Sequence, residues 1–233
     1  MIDVRLARTR PHTEIDWLDS WHSFSFAGHY DPTNTHHGLL LVSNDDRVAP
    51  GAGFPMHAHR DMEIITWVLS GRLEHRDSEG SHGILYPGLA QRMSAGTGIR
   101  HSEMNASNQE PVHFVQMWVQ PDSAGLRPSY EQVDLNDRLA GGGLVAGASG
   151  QGQAGAVAIH QPDAVLWAAR LSADDAVALP DAPHAHVYVA RGSADLAGGG
   201  TLSAGDAARL TDAGAPELAG GPEGAEVLIW ATS

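Results

Sequence analysis

The chain has 233 residues, a formal net charge of −14 and no cysteine. This length suffices for one large domain or two small ones with a substantial core. The missing cysteines exclude disulfides and thiolate chemistry, and the negative charge argues against nucleic acid or an anionic membrane as a direct partner.

The first 50 residues begin with a predicted strand and lack the apolar segment of a signal peptide. No run in the chain approaches the ~20 apolar residues that span a bilayer, so we expect a cytoplasmic protein. Residues 23–26, Ser-Phe-Ser-Phe, alternate with a period of two, which predicts a half-buried strand. Residues 39–42 predict the next strand, and we interpret His36 and His37 as loop residues.

Two short motifs between residues 50 and 105 contain candidate metal ligands. His57 and His59 are two residues apart in the first motif, as are His101 and Glu103 in the second. Residues i and i+2 of a strand point to the same face, so each pair would project together from one strand. Two such strands across a barrel interior offer three imidazoles and one carboxylate to a single ion. This donor set suits Fe, Ni, Cu, Zn or Mn and does not choose among them.

Strands predominate from residue 54 to residue 119, where turns rich in glycine separate apolar runs such as 64–69 and 112–119. No segment in this region has a convincing helical period. Gly51-x-Gly53 and Gly96-x-Gly98 lack the third glycine and the following helix of a dinucleotide-binding loop, which excludes that interpretation.

Residues 121–155 are rich in proline and glycine, which is typical of an extended connection with little capacity to form a core. We therefore predict an amino-terminal metal-binding domain in residues 1–135 and a second β-domain without metal in residues 136–233. Strands of the second domain are predicted at 156–160, 165–171, 186–190 and 227–231. Small barrels fill their interiors with side chains, and the predicted apolar filling includes Val187, Val189, Leu228 and Trp230.

A second pair of histidines, His184 and His186, repeats the two-residue spacing in the second half. The following turn glycine comes six residues after His186, whereas it comes twelve residues after His59 in the first half. The later pair therefore does not fall on the ligand positions. Residues 201–221 contain no histidine that could stand for His101. We predict that His184 and His186 are not metal ligands.

Several segments of the first half resemble the pirin family of cupins, and they occur in the order in which that family has them. These segments are residues 19–26, 47–55, 57–71, 74–78 and 93–103. Among pirins, the chain is most similar to the bacterial bicupins described as quercetin 2,3-dioxygenases. The resemblance is strong in the first half and extends to the remainder only in layout.

The resemblance implies an all-β bicupin, with two β-barrel (jelly-roll) domains packed together and one divalent metal in the first barrel. The pirin ligand set falls on His57, His59, His101 and Glu103. Iron is the leading metal, with Ni, Cu, Zn, Mn and Co left open. Glu63 stands at the carboxylate position of cupins in general, and only the family match favours Glu103. On a regular strand, Glu63 would lie roughly 13 Å beyond His59 and outside the coordination sphere. A bend or bulge near residues 60–61 would shorten that distance and let Glu63 border the cavity.

The implied activity is oxidative cleavage of a flavonol ring by dioxygen, with release of carbon monoxide. A metal with an open position would bind the substrate 3-hydroxyl, and Glu103 would act as ligand and base. Aromatic side chains of the first half could line the substrate pocket, although core packing is the leading interpretation for them; they are Phe24, Phe26, Phe54 and Trp118. The alternative function is a non-catalytic metal-binding pirin that regulates a protein partner. A third, a metal-free sugar-binding cupin, is disfavoured by the four intact ligands.

Overall fold

The computed structural model describes all 233 residues, and almost all of its regular structure is β-strand. The strands of the first half are β1 (Ile2–Arg5), β2 (His12–Ile15), β3 (Leu18–His22), β4 (Leu40–Val48), β5 (Gly53–His59), β6 (Glu63–Ser70), β7 (Leu73–Asp77), β8 (His82–Leu85), β9 (Leu89–Ser94), β10 (Ile99–Asn105), β11 (Val112–Val119) and β12 (Ser129–Asp134). Those of the second half are β13 (Val145–Ser149), β14 (Val157–Ala158), β15 (Ala164–Leu171), β16 (Ala176–Ala178), β17 (His184–Leu196), β18 (Gly200–Ser203), β19 (Ala207–Thr211) and β20 (Glu217–Thr232).

The two helices are short: a 3-10 turn at Ala7–Thr9 and α1 at Asn136–Ala140. Neither has the length and apolar character that a membrane crossing requires. The prediction of an all-β chain is confirmed.

The first half folds into two antiparallel sheets. One has seven strands in the order β12-β9-β6-β11-β4-β3-β2, and the other has four in the order β5-β10-β7-β8. Leu73 and Leu85 of the smaller sheet share one buried cluster with Val68 and Phe114 of the larger sheet. Two sheets that bury side chains against each other in this way form a closed β-sandwich or barrel.

The second half forms a nine-stranded sheet in the order β1-β19-β17-β20-β15-β13-β14, with β16 beside β20 and β18 beside β17. The first strand of the chain, β1, belongs to this sheet because Ile2 pairs with Leu210 of β19. The amino terminus therefore crosses from one half to the other. The division of the chain at residue 135 stays a prediction.

The two halves share an apolar core of 23 buried residues, which includes Trp67 and Met117 from the first and Tyr188 and Trp230 from the second. The Trp230 indole N–H donates to the Met117 sulfur at 3.1 Å. The Trp67 indole N–H donates to a carboxylate oxygen of Glu226 at 2.8 Å. Both indole rings are thus buried, and each indole N–H has a hydrogen-bond acceptor. The apolar core is continuous across the interface between the two halves. Two packed β-barrels were predicted, and this is confirmed.

The predicted filling of the second barrel was right for two residues and wrong for two. Val187 and Val189 lie in its interior cluster, together with Ile229. Leu228 and Trp230 instead lie in the core shared with the first half. Alternate residues of a strand face opposite sides of the sheet, so β20 turns one set of side chains inward and the other set toward the neighbouring barrel.

Two other local predictions were wrong. Residues 23–26 are not a strand: β3 ends at His22, and Phe26 makes only an isolated bridge with His29. Phe24 is nevertheless buried, so the alternating pattern reflected burial without strand pairing. The segment 121–155 is not an extended connection, because β12 pairs with β9 and two leucines bury themselves in the shared core. These leucines are Leu135 and Leu139.

Candidate metal centre

The two predicted ligand pairs lie on neighbouring strands of the four-stranded sheet and not across a barrel interior. His101 of β10 stands directly opposite His57 of β5. Between His101 and Glu103 the register shifts by one residue, because β5 has an extra residue there. Pro55 lies in this bulge; proline has no N–H to donate to the ladder, so it favours such irregular positions.

Three imidazoles converge at this point. Ring centroids lie 4.5 Å apart for His57 and His101, 4.8 Å for His57 and His59, and 5.0 Å for His59 and His101. One ring nitrogen from each lies within 4.8 Å of the others. The His57 Nδ1–H donates to the Pro55 carbonyl at 2.8 Å, which leaves Nε2 with its lone pair free.

The Nε2 atoms of His59 and His101 are buried and have no hydrogen-bond partner in the protein. A buried polar atom without a partner is costly. A metal ion bound by the three imidazoles would satisfy such atoms together. The donor set therefore fits a divalent ion of the kind that imidazole prefers.

The imidazoles of the half-buried His59 and the buried His101 are neutral at physiological pH. Burial, together with the neighbouring His101 and His57, lowers the pKa of His59 to about 4. Burial, together with His57 and His75, lowers the pKa of His101 to about 3. Metal ligation needs the neutral form of histidine, so these rings are ready to bind without losing a proton.

Glu103 is buried beside this cluster. Its Oε2 accepts a hydrogen bond from the Gln116 amide at 2.6 Å, and its Oε1 accepts one from the Thr66 hydroxyl at 3.3 Å. A carboxylate oxygen of Glu103 lies within 4.8 Å of nitrogens of His75 and His101, but Glu103 is not in the tight group formed by His57, His59 and His101. Each carboxylate oxygen keeps a further lone pair, so the hydrogen bonds fix the carboxylate without exhausting it.

Glu63 occupies a different environment from the one extrapolated along a single strand. β5 ends at His59, the chain turns at Asp61 with a φ of 47°, and Glu63 opens β6 in the other sheet. Its carboxylate accepts from the Ser94 hydroxyl at 2.8 Å and lies 3.3 Å from His160 Nδ1. Glu63 belongs to neither group of candidate ligands.

His75, which was not among the predicted site residues, is buried directly behind His101. The Nδ1 atoms of these two residues are 3.4 Å apart, and His75 Nε2 lies 3.1 Å from a carboxylate oxygen of Asp77. The ring of His75 stacks on Tyr130 with centroids 4.6 Å apart. The signal was available: His75 and Asp77 have the same two-residue spacing as the ligand pairs.

A cavity of about 410 Å³ opens beside the cluster. His57, His59 and Glu103 form part of its wall. Its apolar side includes three of the four residues predicted for a substrate pocket, namely Phe26, Phe54 and Trp118. Phe24 has the other role considered for these residues, because it packs in the core between the barrels.

Another part of the cavity wall is polar and includes Ser20, His22, Asn44 and Asp46. The Ser20 hydroxyl donates to the Asp46 carboxylate. Burial raises the pKa of Asp46 to about 7, and the negative charges of neighbouring carboxylates add to this rise. Near neutral pH this carboxyl group is therefore partly protonated, and it can donate as well as accept a hydrogen bond.

His184 and His186, the pair in the second half, belong to neither group of candidate ligands. His186 is buried with its ring 5.5 Å from that of Phe24. The ring of His184 lies edge-on to that of His37, at 5.2 Å.

Two packed β-barrels with a histidine-lined cavity in the first define a two-domain cupin protein with a candidate metal centre. Comparison with known protein families identifies the cupin family to which the chain belongs. The Pirin family model matches residues 3–119, and the model described as the quercetinase C-terminal cupin domain matches residues 146–230. The chain belongs to the pirin family, and the predicted bicupin architecture is confirmed.

Several known proteins are similar along the chain. "Putative quercetin 2,3-dioxygenase Rv0181c" of Mycobacterium tuberculosis is 57% identical over 230 residues, which are 98% of this chain and 94% of the relative. The quercetin 2,3-dioxygenase of Escherichia coli K12 is 47% identical over 161 residues, 69% of this chain and 68% of that one. The structure of bacterial pirin YhhW from Escherichia coli in complex with nickel(II) has a TM-score of 0.91 at 36% identity, covering 100% of this chain and 99% of that one.

Proposed function

We propose that this protein is a metal-dependent dioxygenase that cleaves the flavonol ring of quercetin-type substrates and releases carbon monoxide. The observation that carries the proposal is the convergence of three imidazoles, those of His57, His59 and His101, beside a cavity with apolar walls. The names of the two relatives described above support the reaction class.

The proposed ligands are His57, His59, His101 and Glu103. A divalent ion held by them would act as a Lewis acid toward a substrate hydroxyl at an open position. Iron is our first candidate, and the nickel complex of the 36% identical YhhW supports a divalent ion in this family. The absence of any thiolate is consistent with the imidazole–carboxylate set.

Glu103 is proposed to take the proton of the flavonol 3-hydroxyl. It borders the cavity, and the Gln116 amide and the Thr66 hydroxyl aim its carboxylate. Gln116 is held in turn, because its Oε1 accepts from the Trp118 indole N–H at 3.1 Å. A base fixed at both oxygens needs little reorganisation when it accepts a proton.

The remaining cavity wall suits a flat aromatic molecule with hydroxyl groups. Phe26, Phe54 and Trp118 offer apolar surface to the rings. Asp46 and Asn44 offer hydrogen bonds to hydroxyls at the polar part of the wall. A volume of about 410 Å³ lies within the range of small-molecule pockets.

Oxygen uptake and carbon monoxide release in the presence of quercetin test the proposal. The purified chain is loaded with Fe²⁺ or Ni²⁺ in separate samples, and His101→Ala serves as the control. We expect equal amounts of oxygen consumed and carbon monoxide released by the wild type and neither by the variant. Metal bound at one per chain with quercetin left intact would contradict the enzyme proposal and favour the non-catalytic, protein-binding alternative.

A further inference from the structure

A chain of three buried side chains runs along the four-stranded sheet behind His101. Asp77 Oδ2 lies 3.1 Å from His75 Nε2, and His75 Nδ1 lies 3.4 Å from His101 Nδ1. The strands enforce this arrangement, because β7 and β10 pair with Asp77 opposite His101 and with His75 opposite Glu103. Neither Asp77 nor His75 lines the cavity.

The proton positions in this chain follow from the kinds of atom in contact. An ionised carboxylate only accepts hydrogen bonds, so His75 must carry its proton on Nε2, facing Asp77. With its single proton at Nε2, the His75 ring presents a lone pair at Nδ1. The facing Nδ1 of His101 must supply the proton between the two rings. His101 is thereby left with a lone pair on Nε2, the buried nitrogen without a protein partner.

We propose that Asp77 and His75 are positioning residues, which hold His101 in the tautomer that binds a metal through Nε2. This inference rests on the proposed metal site and adds two residues to it that the comparisons do not assign. Partners of this kind fix the tautomer and orientation of a ligating imidazole and raise its basicity.

The surroundings hold both positioning side chains in place. The second carboxylate oxygen of Asp77 accepts from the backbone N–H groups of Glu79 and Ser81, each at 2.9 Å. Tyr130 stacks on His75 with an interplanar angle of 27°. Gly83 stands opposite His75 on β8, and a side chain there would collide with the Tyr130 hydroxyl. The glycine in the β7–β8 hairpin thus leaves room for Tyr130, which packs against His75.

Asp77→Asn tests the inference because it replaces an acceptor by a donor of the same shape. The asparagine oxygen can keep the two backbone hydrogen bonds while its NH₂ faces His75 Nε2. His75 must then move its proton to Nδ1, and His101 must carry its own on Nε2, where it blocks the metal. We expect nickel(II) affinity, measured by isothermal titration calorimetry, to fall by about 10- to 100-fold.

Long-range ¹H–¹⁵N correlation spectra of the metal-free protein report the tautomer of each ring directly. We expect the Nδ1–H form of His101 in the wild type and the Nε2–H form in Asp77→Asn, with the His101 signals identified by their loss in His101→Gln. Glu74→Gln is the matched control. Glu74 lies on β7, as Asp77 does, and its carboxylate accepts hydrogen bonds from His82 and Arg76 without reaching the metal site. The tautomer of His101 and the nickel affinity should therefore not change in this variant.

Two results would overturn the inference: an Nε2–H His101 in the wild type, or a folded Asp77→Asn whose nickel affinity is within twofold of wild type. If Asp77→Asn does not fold, the wild-type spectrum still decides. Failure of the wild type to bind any divalent ion would instead remove the proposed function, and the tautomer measurement would remain valid.

Discussion

The two barrels of this protein differ in what fills them. The interior of the second is a cluster of 15 buried apolar residues, including Val187, Val189 and Ile229. In the first, the corresponding space holds a cavity of about 410 Å³ and buried polar groups such as His101, Glu103 and Gln116. One barrel gains stability from burying apolar surface. The other gives up part of that gain to build a site.

The two barrels therefore differ in the kind of interaction that holds their interiors together. Apolar side chains make no demands beyond shape, whereas each buried polar atom needs a partner. In the first barrel, the partners form chains such as Trp118–Gln116–Glu103, with successive distances of 3.1 and 2.6 Å. The barrel with the cavity is therefore the one that relies on paired polar groups, and the filled barrel joins it through the shared apolar core.

The largest expected effect concerns where metal binds. His57→Ala and His101→Ala should nearly abolish binding, because each removes one of three converging ligand nitrogens. His184→Ala, in the filled barrel, should keep metal content near one ion per chain. Metal analysis after equilibrium dialysis measures the ratio. A ratio near two, or loss of metal in His184→Ala, would show that the second barrel also binds metal.

A core truncation tests the other side of the comparison. Ile229 is fully buried in the second barrel, so Ile229→Ala should lower the free energy of unfolding by about 2 to 5 kcal/mol. Metal stoichiometry should be unchanged in the fraction that stays folded. Urea denaturation of the metal-free and metal-loaded protein gives both values. Loss of metal in a folded Ile229→Ala protein would indicate that the second barrel takes part in the site.

The acid sensitivity of the metal-free protein should come partly from the first barrel. The pKa of His101 is about 3 in the folded chain, far below the usual value near 6.5 in an unfolded one. The unfolded state therefore binds more protons between these values, so this contribution to stability is complete above pH 6.5 and is lost as the pH falls toward 3. His59, with a pKa of about 4, acts in the same direction.

His101→Gln isolates the contribution of His101 to this pH dependence, because other buried histidines such as His186 also have lowered pKa values. The stability of the variant, measured by urea denaturation from pH 7 to pH 4, should fall less steeply than that of the wild type. Parallel curves would mean that His101 is protonated equally easily in both states.

The sequence predicted that the three histidines come together, because the information was local. A two-residue spacing on a strand places His57 with His59 on one face, and the structure keeps that relation. The side of β20 on which Trp230 lies could not be predicted, because it depends on which face of the strand meets the other barrel. Likewise, the apolar pattern of residues 23–26 reported the burial of Phe24 but not the absence of a pairing strand.

The surroundings of Glu63 depend on a turn. The sequence left open a regular strand and a bend near residues 60–61, and the turn at Asp61 sends the chain into the other sheet. A single residue with positive φ is enough to change the sheet to which the next strand belongs. His75 was missed although its spacing to Asp77 is local, because its role depends on the β7–β10 register that brings it to His101.

The smallest expected effect separates the two carboxylates and tests the assignment of Glu103. Glu103→Gln replaces a charged ligand by a neutral amide that is no base, so metal affinity should fall by about tenfold or more and oxygenase turnover should be lost. Glu63→Gln should leave the metal in place, since its carboxylate is engaged by Ser94 and His160 outside both groups of candidate ligands. Both replacements preserve size and remove one charge, which makes each the control for the other. Calorimetric titration with nickel(II) and oxygen uptake with quercetin measure the two properties separately. The reverse order, with Glu63 essential and Glu103 dispensable, would mean that this chain uses the carboxylate position of cupins in general, and the site would then have to extend toward β6.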